Sequence, residues 1–206
     1  MVGEMDFLQT ALQVPGWRQG EEAAAVYAAS YSRPDHAVIV EVGAFLGRST
    51  ILLAGARKLR GSGRVHSIDP FDCSGDAASL PVYEQILREV GGGDLRSHFE
   101  QNLRIAGVGE WVEIHQQQAA EAGAAWTLPI DLLLLDGDQS PEGARAAFDA
   151  LLPHLKSGGI LIMGNSTPRD YAPTHDGNWL ITSTTVVYPA FIDPRRVGTA
   201  TIAVKA

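Results

Sequence analysis

Residues 38–50 read VIVEVGAFLGRST, a short apolar run that ends in a cluster of small residues. Glu41 closes the run, Gly43, Ala44, Phe45 and Gly47 make a tight turn, and Ser49 opens a helical stretch carrying Ile51, Leu52, Leu53 and Leu59. A strand feeding a glycine turn and then a helix N-terminus is a ligand-binding shape. Small residues let a ligand approach the backbone, and the first N–H groups of a helix have no partner within it. The same spacing also describes an ordinary strand–helix turn. A second feature separates the two. Residues 64–68 (RVHSI) read as the next strand, and Asp69 stands at its end, where a carboxylate accepts both hydroxyls of a ribose bound across the first turn. The alternative for Asp69 is a solvated residue opening a turn with Pro70. Together the two features point to an adenosine-containing ligand. Two further residues suit proton transfer: Asp138 after the apolar run 130–135, and His175 in the loop beyond the run 160–163.

Strand and helix patterns alternate along the chain, which predicts a mostly parallel sheet. Residues 1–36 form a helical leader, with an alanine-rich helix over 21–31 and an earlier helical stretch over 6–12 broken at Pro15 and Gly16. Residues 37–206 form a single domain. After Asp69 comes a polar stretch, then a helix from Pro81 with Val82, Ile86 and Val90 on one stripe, stopped by Gly91, Gly92 and Gly93. Residues 71–93 thus read as an insertion at the ligand face, expected to form part of a substrate lid. Residues 111–115 read as the third strand and 119–125 as a short helix. Residues 130–135 (IDLLLL) are apolar throughout, as in a strand buried on both faces. Ser140 caps the next helix, with Pro141 at its first position. That helix carries Phe148, Leu151, Leu152 and Leu155, stops at residues 156–159, and leads to a fifth strand at 160–163. In the tail, the β-branched runs 182–188 and 199–204 read as the last strands, with no helix pattern over 164–181.

The 206 residues suit one domain with a full core, and 45% hydrophobic with 19% charged residues is an ordinary globular composition. A net charge of −8 argues against tight nucleic-acid binding. Cys73 is the single cysteine, which excludes an internal disulfide and a cysteine-rich zinc site. The acidic start MVGEMDFLQT lacks a signal pattern, and no apolar run has the length of a membrane span. These features predict a cytoplasmic protein that does not bind membranes; a homodimer through the leader or the terminal hairpin is compatible with them.

The loop EVGAFLGRST resembles motif I of the class I S-adenosylmethionine (SAM) methyltransferases. It is especially similar to the small O-methyltransferases of the catechol type, whose loop runs Glu-x-Gly-Ala-aromatic-x-Gly-x-Ser. Those places are filled by Glu41, Gly43, Ala44, Phe45, Gly47 and Ser49. The resemblance continues through SIDP (67–70), LLLLDGD (132–138) and LLPHLKSGGILI (151–162), and covers roughly residues 19–163. It implies a Rossmann-like α/β fold: a seven-stranded, mostly parallel sheet with a C-terminal antiparallel hairpin and helices on both faces. It implies SAM as cofactor and a small-molecule acceptor, methylated at a hydroxyl. The motif-I residues then surround the methionine end, Asp69 meets the ribose, Pro70, Gln118 and Ala119 lie near the adenine, and Asp136 lies beneath the sulfonium and acceptor. In such families the leader packs over the cofactor cleft; Trp17 would then line it, although anchoring the leader to the core is the safer expectation.

Methyl transfer needs the acceptor oxygen held about 3 Å from the methyl and in line, and a group to take its proton. Catechol-type enzymes meet the second need with a divalent ion such as Mg²⁺, on an Asp at the place of Asp136 and an Asp–Asn pair after strand five. Here that pair reads Gly164–Asn165, so a carboxylate is lost, and metal dependence is not favoured. Asp136, Asp138 and Asn165 are the ligands if an ion binds. Without one, His175 and Asp138 are the candidate bases, the former set against a plain surface-loop histidine. Gln139 stands where many relatives carry His after Asp-Gly-Asp, and Gln cannot act as a base. His66, His98, His115 and His154 suit packing or surface roles. Two other readings remain: a SAM-binding module that has lost catalysis, and a nicotinamide-dependent oxidoreductase, although the latter's Gly-x-Gly-x-x-Gly spacing is missing.

Overall fold

A computed structural model describes residues 4–206, so the first three residues of the leader lie outside the described residues. Seven strands form one sheet: β1 (Val38–Val42), β2 (Arg64–Ile68), β3 (Val112–His115), β4 (Ile130–Leu135), β5 (Leu155–Met163), β6 (Phe191–Val197) and β7 (Ala200–Lys205). Their spatial order is β3-β2-β1-β4-β5-β7-β6. The first five strands pair in parallel, and β7 lies antiparallel between β5 and β6. This is the expected sheet with its terminal hairpin.

Side chains alternate across a strand, and the alternation divides the core in two. Ile39, Leu132, Leu134, Ile160 and Ile162 face one layer, while Val40, Leu133, Leu135, Leu161 and Met163 face the other. The first layer is covered by α1 (Glu4–Leu12), α2 (Gly20–Tyr31), α3 (Arg48–Arg60) and α5 (Leu95–Ile105). The second is covered by α6 (Ala119–Ala124), α7 (Pro141–Leu151) and α8 (Gly177–Thr184). The remaining helix, α4 (Leu80–Glu89), buries none of its residues and lies over the ligand face. Among the described residues no helix is long and apolar enough to cross a membrane.

The tail departs from expectation. None of the β-branched run 182–188 is a strand: residues up to Thr184 end α8, the helix missing from the pattern. Asn178, Ile181 and Thr182 are buried at i, i+3 and i+4. Asn178 Nδ2 donates to Gly164 O at 2.9 Å and to Leu135 O at 3.2 Å, so the helix is nailed across the ends of β4 and β5. That anchoring outweighs the weak helix propensity of Ile and Thr. The sixth strand is instead Phe191–Val197, whose sequence FIDPRRV hides it; Pro194 is tolerated because β6 is an edge. Two boundaries also shift. Helix α7 ends at Leu151, before Pro153, and Leu155 belongs to β5, paired with Ile130. Trp111 sits in a 3₁₀ turn ahead of β3.

Candidate active site

The turn after β1 is held from two sides. Gly43 has φ +85, and a Cβ there would lie 2.5 Å from the Asp136 carbonyl oxygen, so the loop rests directly on the end of β4. Gly47 has φ +95 and precedes α3; a Cβ on it would meet the Phe99 ring at 3.1 Å. From the other side Asp69 accepts hydrogen bonds from Ala44 N at 2.8 Å and Phe45 N at 2.9 Å on Oδ2, and from Phe71 N at 2.7 Å on Oδ1. Burial pushes the Asp69 carboxyl upward against these three donors. Glu41 lies beneath the turn, fully buried, with Oε2 accepting from Thr50 Oγ1 at 2.5 Å and Ser67 Oγ at 2.9 Å. Burial pushes its carboxyl up as well, opposed by the Ser49, Thr50 and Ser67 hydroxyls.

A cavity of about 640 Å³ opens over the C-terminal ends of β1, β2 and β4. Gly43, Ala44, Phe45, Ser49, Asp69 and Pro70 line it, as do Gln118 and Ala119 at the start of α6. Glu41 and Gly47 do not: they shape the loop from behind. The leader forms the opposite wall. Arg48, at the start of α3, fastens it with Nε donating to Val14 O at 2.7 Å and Nη1 to Arg18 O at 3.2 Å. Trp17 is therefore no core anchor. It is 53% exposed at the cavity mouth, its ring centroid 5.4 Å from that of Phe45 and 5.5 Å from that of Tyr83 on α4. The 71–93 segment thus meets the leader through an aromatic trio.

The far end of the cavity holds charge. Arg18 is 3% exposed. Its Nη2 donates to Asp136 Oδ2 at 2.7 Å and its Nη1 to Glu22 Oε1, while Glu22 Oε2 accepts from Thr199 N at 3.0 Å and Thr199 Oγ1 at 3.1 Å. Gln139 Nε2 donates to Asp136 Oδ1 at 3.2 Å. Burial raises the Asp136 carboxyl, with the Arg18 guanidinium as the main opposing influence. Beside this group, His175 Nδ1 stands 2.9 Å from Asp76 Oδ1, and Nε2 lies 3.4 Å from the Asn165 side-chain amide. Ser79 donates to the other Asp76 oxygen at 2.7 Å. Asp138 also lines the cavity, its Oδ1 accepting from Ser140 N at 2.8 Å at the start of α7.

These residues do not fit a Mg²⁺ ion. Hard dications want several carboxylate or carbonyl oxygens. Both Asp136 oxygens already accept from Arg18 and Gln139, and Asp138 Oδ1 accepts from Ser140 N. No carboxylate fits at Gly164, where even a Cβ would lie 1.9 Å from Asp136 Oδ1 and 2.9 Å from Arg18 Nη2. The guanidinium stands beside Asp136 as the cation.

Arg18, Asp76 and Asn178 are among the residues of this site that escaped the sequence reading. Each sits in a segment with no motif. The one available signal was a lone Arg just before an acidic helix start, in a leader expected to cover the cleft.

Residues 40–166 match the model of a methyltransferase domain. Among solved structures, the O-methyltransferase TomG from Streptomyces achromogenes, involved in tomaymycin synthesis and solved with SAM, is similar at 19% identity and TM-score 0.68, over 100% of this chain and 92% of that one. Cofactor-bound Rv0187 from MTB is similar at 17% identity and TM-score 0.66, over 98% and 87%. An O-methyltransferase from Bacillus cereus in complex with SAH is similar at 17% identity and TM-score 0.62, over 97% and 90%. At these identities the likeness concerns the fold.

Proposed function

The chain belongs to the methyltransferase domain family, and from that premise we propose that it transfers the methyl group of SAM to a hydroxyl of a small molecule. The observation that carries the reading is one cavity with two chemically different ends. One end offers the Gly43–Ala44 backbone, the Asp69 carboxylate and Gln118; the other offers the His175–Asp76 pair and Asp136 with Arg18. SAM, when bound, supplies an electrophilic methyl on a sulfonium. The first end suits it: small residues at the turn, the N-terminus of α3 and a carboxylate at the cavity wall for ribose hydroxyls. Similar proteins solved with SAM or SAH support this choice of cofactor.

At the second end His175 takes the acceptor proton through Nε2, because Nδ1 is engaged by Asp76. Asp76 fixes the ring orientation and stabilises the imidazolium that forms. Asp76 comes from the 71–93 segment and His175 from the loop after β5, so the base is complete only with the lid in place. Arg18 opposes the rise that burial gives the Asp136 carboxyl and adds positive potential where oxygen charge develops. The aromatic trio of Trp17, Phe45 and Tyr83 excludes water from the mouth and favours an apolar, ring-bearing acceptor. A polar acceptor end speaks for a working enzyme over a SAM-binding module without catalysis, and the family match speaks against the oxidoreductase.

Calorimetric titration with SAM and NADH tests the reading, using wild type and Asp69→Asn. Micromolar SAM binding, weakened in the variant, followed by methyl transfer to a panel of phenols, is the expected result. NADH binding, or SAM binding indifferent to Asp69, overturns it.

A further inference from the structure

A second cluster of ligating side chains lies outside this cavity. His66 pairs with Glu113 in the β2–β3 register and Ile68 with His115, so His66, Glu113 and His115 project from the same sheet face, the α6 side. His66 Nδ1 is 3.0 Å from His115 Nε2 and 3.6 Å from Glu113 Oε2, and His115 Nε2 is 3.6 Å from Glu113 Oε1. A tetrahedral ion with bonds of about 2.0–2.1 Å spreads its ligand atoms roughly 3.4 Å apart. The three side chains already bracket that spacing. Trp126 fixes both rings: its centroid lies 5.1 Å from that of His66 and 5.7 Å from that of His115, and its Nε1 donates to Leu128 O at 2.7 Å.

We propose that His66, Glu113 and His115 form a zinc-class binding site that clips the edge strand β3 to β2. Two imidazoles and one carboxylate suit Zn²⁺ and its neighbours far better than Mg²⁺, and three protein ligands leave a fourth position for water. On binding, each ring must turn a lone pair to the ion. The proton shared between His66 Nδ1 and His115 Nε2 therefore moves to the far nitrogen of the ring that carries it. The clip has a consequence for the cavity. His115 O accepts from Asp69 N at 3.1 Å, so the ion would steady the two strand ends that carry Asp69 and Gln118. The site stands independently of the methyl-transfer reading.

Metal-stripped protein is titrated with Zn²⁺ against a chromophoric chelator, and with Co²⁺ by visible absorption. Wild type, Glu113→Gln, His115→Ala and Asp136→Asn are compared, with circular dichroism as the folding check. Wild type and Asp136→Asn are expected to bind one equivalent, to show tetrahedral Co²⁺ bands and to melt at a higher temperature with Zn²⁺. His115→Ala should lose affinity by more than the roughly 10–100-fold typical of an outer-shell partner. Glu113 is half-exposed, so its variant carries the test if His115→Ala does not fold. No zinc binding by wild type, binding unchanged in both cluster variants, or binding lost in Asp136→Asn overturns the proposal.

Discussion

Arg18 Nη2 stands 2.7 Å from Asp136 Oδ2, joining the leader to the end of β4 across 118 residues of sequence. The pair explains two oddities of the sequence at once. Gly164 has no side chain because the Asp136 carboxylate and the guanidinium fill the space a side chain would take. Asp136 already has a cation beside it, the Arg18 guanidinium.

Removing that cation leaves Asp136 three-quarters buried without a charge partner and Glu22 without its own. Arg18→Ala is expected to destabilise the fold by about 1–3 kcal/mol, a buried-pair cost reduced for the exposed part of Asp136. Urea unfolding at pH 7 measures it. The proposed methyl transfer should also survive excess EDTA in wild type; a chelator-sensitive rate that Mg²⁺ restores would contradict the guanidinium's role.

Gly164→Ala tests the steric half of the same relationship. A Cβ 1.9 Å from Asp136 Oδ1 cannot be accommodated without moving the carboxylate off Arg18. A loss of about 1–3 kcal/mol is expected, the usual cost of overpacking, although alanine has the better intrinsic helix and strand propensity. A variant as stable as wild type would mean that Asp136 has freedom this structure does not give it.

Glu41 supplies a pH dependence whose sign can be worked out. Its folded carboxyl is raised above the ordinary value of 4.5 by burial. The native state therefore holds a proton that the unfolded chain releases as pH climbs past that value. Stability falls with rising pH from the ordinary glutamate value up to the raised folded one, with a slope of up to about 1.4 kcal/mol per pH unit. Glu41→Gln keeps the acceptor for Thr50 and Ser67 and should remove that proton's share of the slope. Denaturant midpoints of both proteins between pH 4 and 8 decide it. Unchanged SAM affinity in the variant would fit a residue that lies behind the loop.

The contrast between Glu41 and Arg18 shows what a sequence displays. Residues 41–49 are a local device: strand, turn and helix start follow each other, and the glycines are required by contacts at either end of one loop. Asp69 is equally visible because a strand end is a short-range feature. Arg18 and Asp76 have no such local signature. They acquire roles only through partners 118 and 99 residues away, Asp136 and His175. Helix α8 was hidden for a related reason: Ile181 and Thr182 carry strand propensity, and the anchor that overrides it, Asn178, bonds carbonyls at the ends of β4 and β5.

The His175–Asp76 dyad gives the most direct test of the proposed chemistry. His175→Gln removes the base and is expected to lower kcat about 10²–10⁴-fold, the range for a positioned general base, with SAM affinity unchanged. Asp76→Asn should cost less, since histidine remains and only its orientation and the stabilisation of the imidazolium are lost. The Asp76 variant carries an independent signature. Burial pushes the Asp76 carboxyl up, but the hydrogen bonds from Ser79 and His175 outweigh it and hold the group below the ordinary value of 3.8. A depressed folded value contributes stability above that pH and loses it as pH falls through the folded value. Wild type should thus lose this contribution only below about pH 4, while Asp76→Asn lacks it at neutral pH already. A drop in kcat for both variants, with KM for SAM nearly constant, supports the dyad. Full activity in His175→Gln would move the base elsewhere, and an Asp76→Asn defect confined to KM would make Asp76 a lid residue alone.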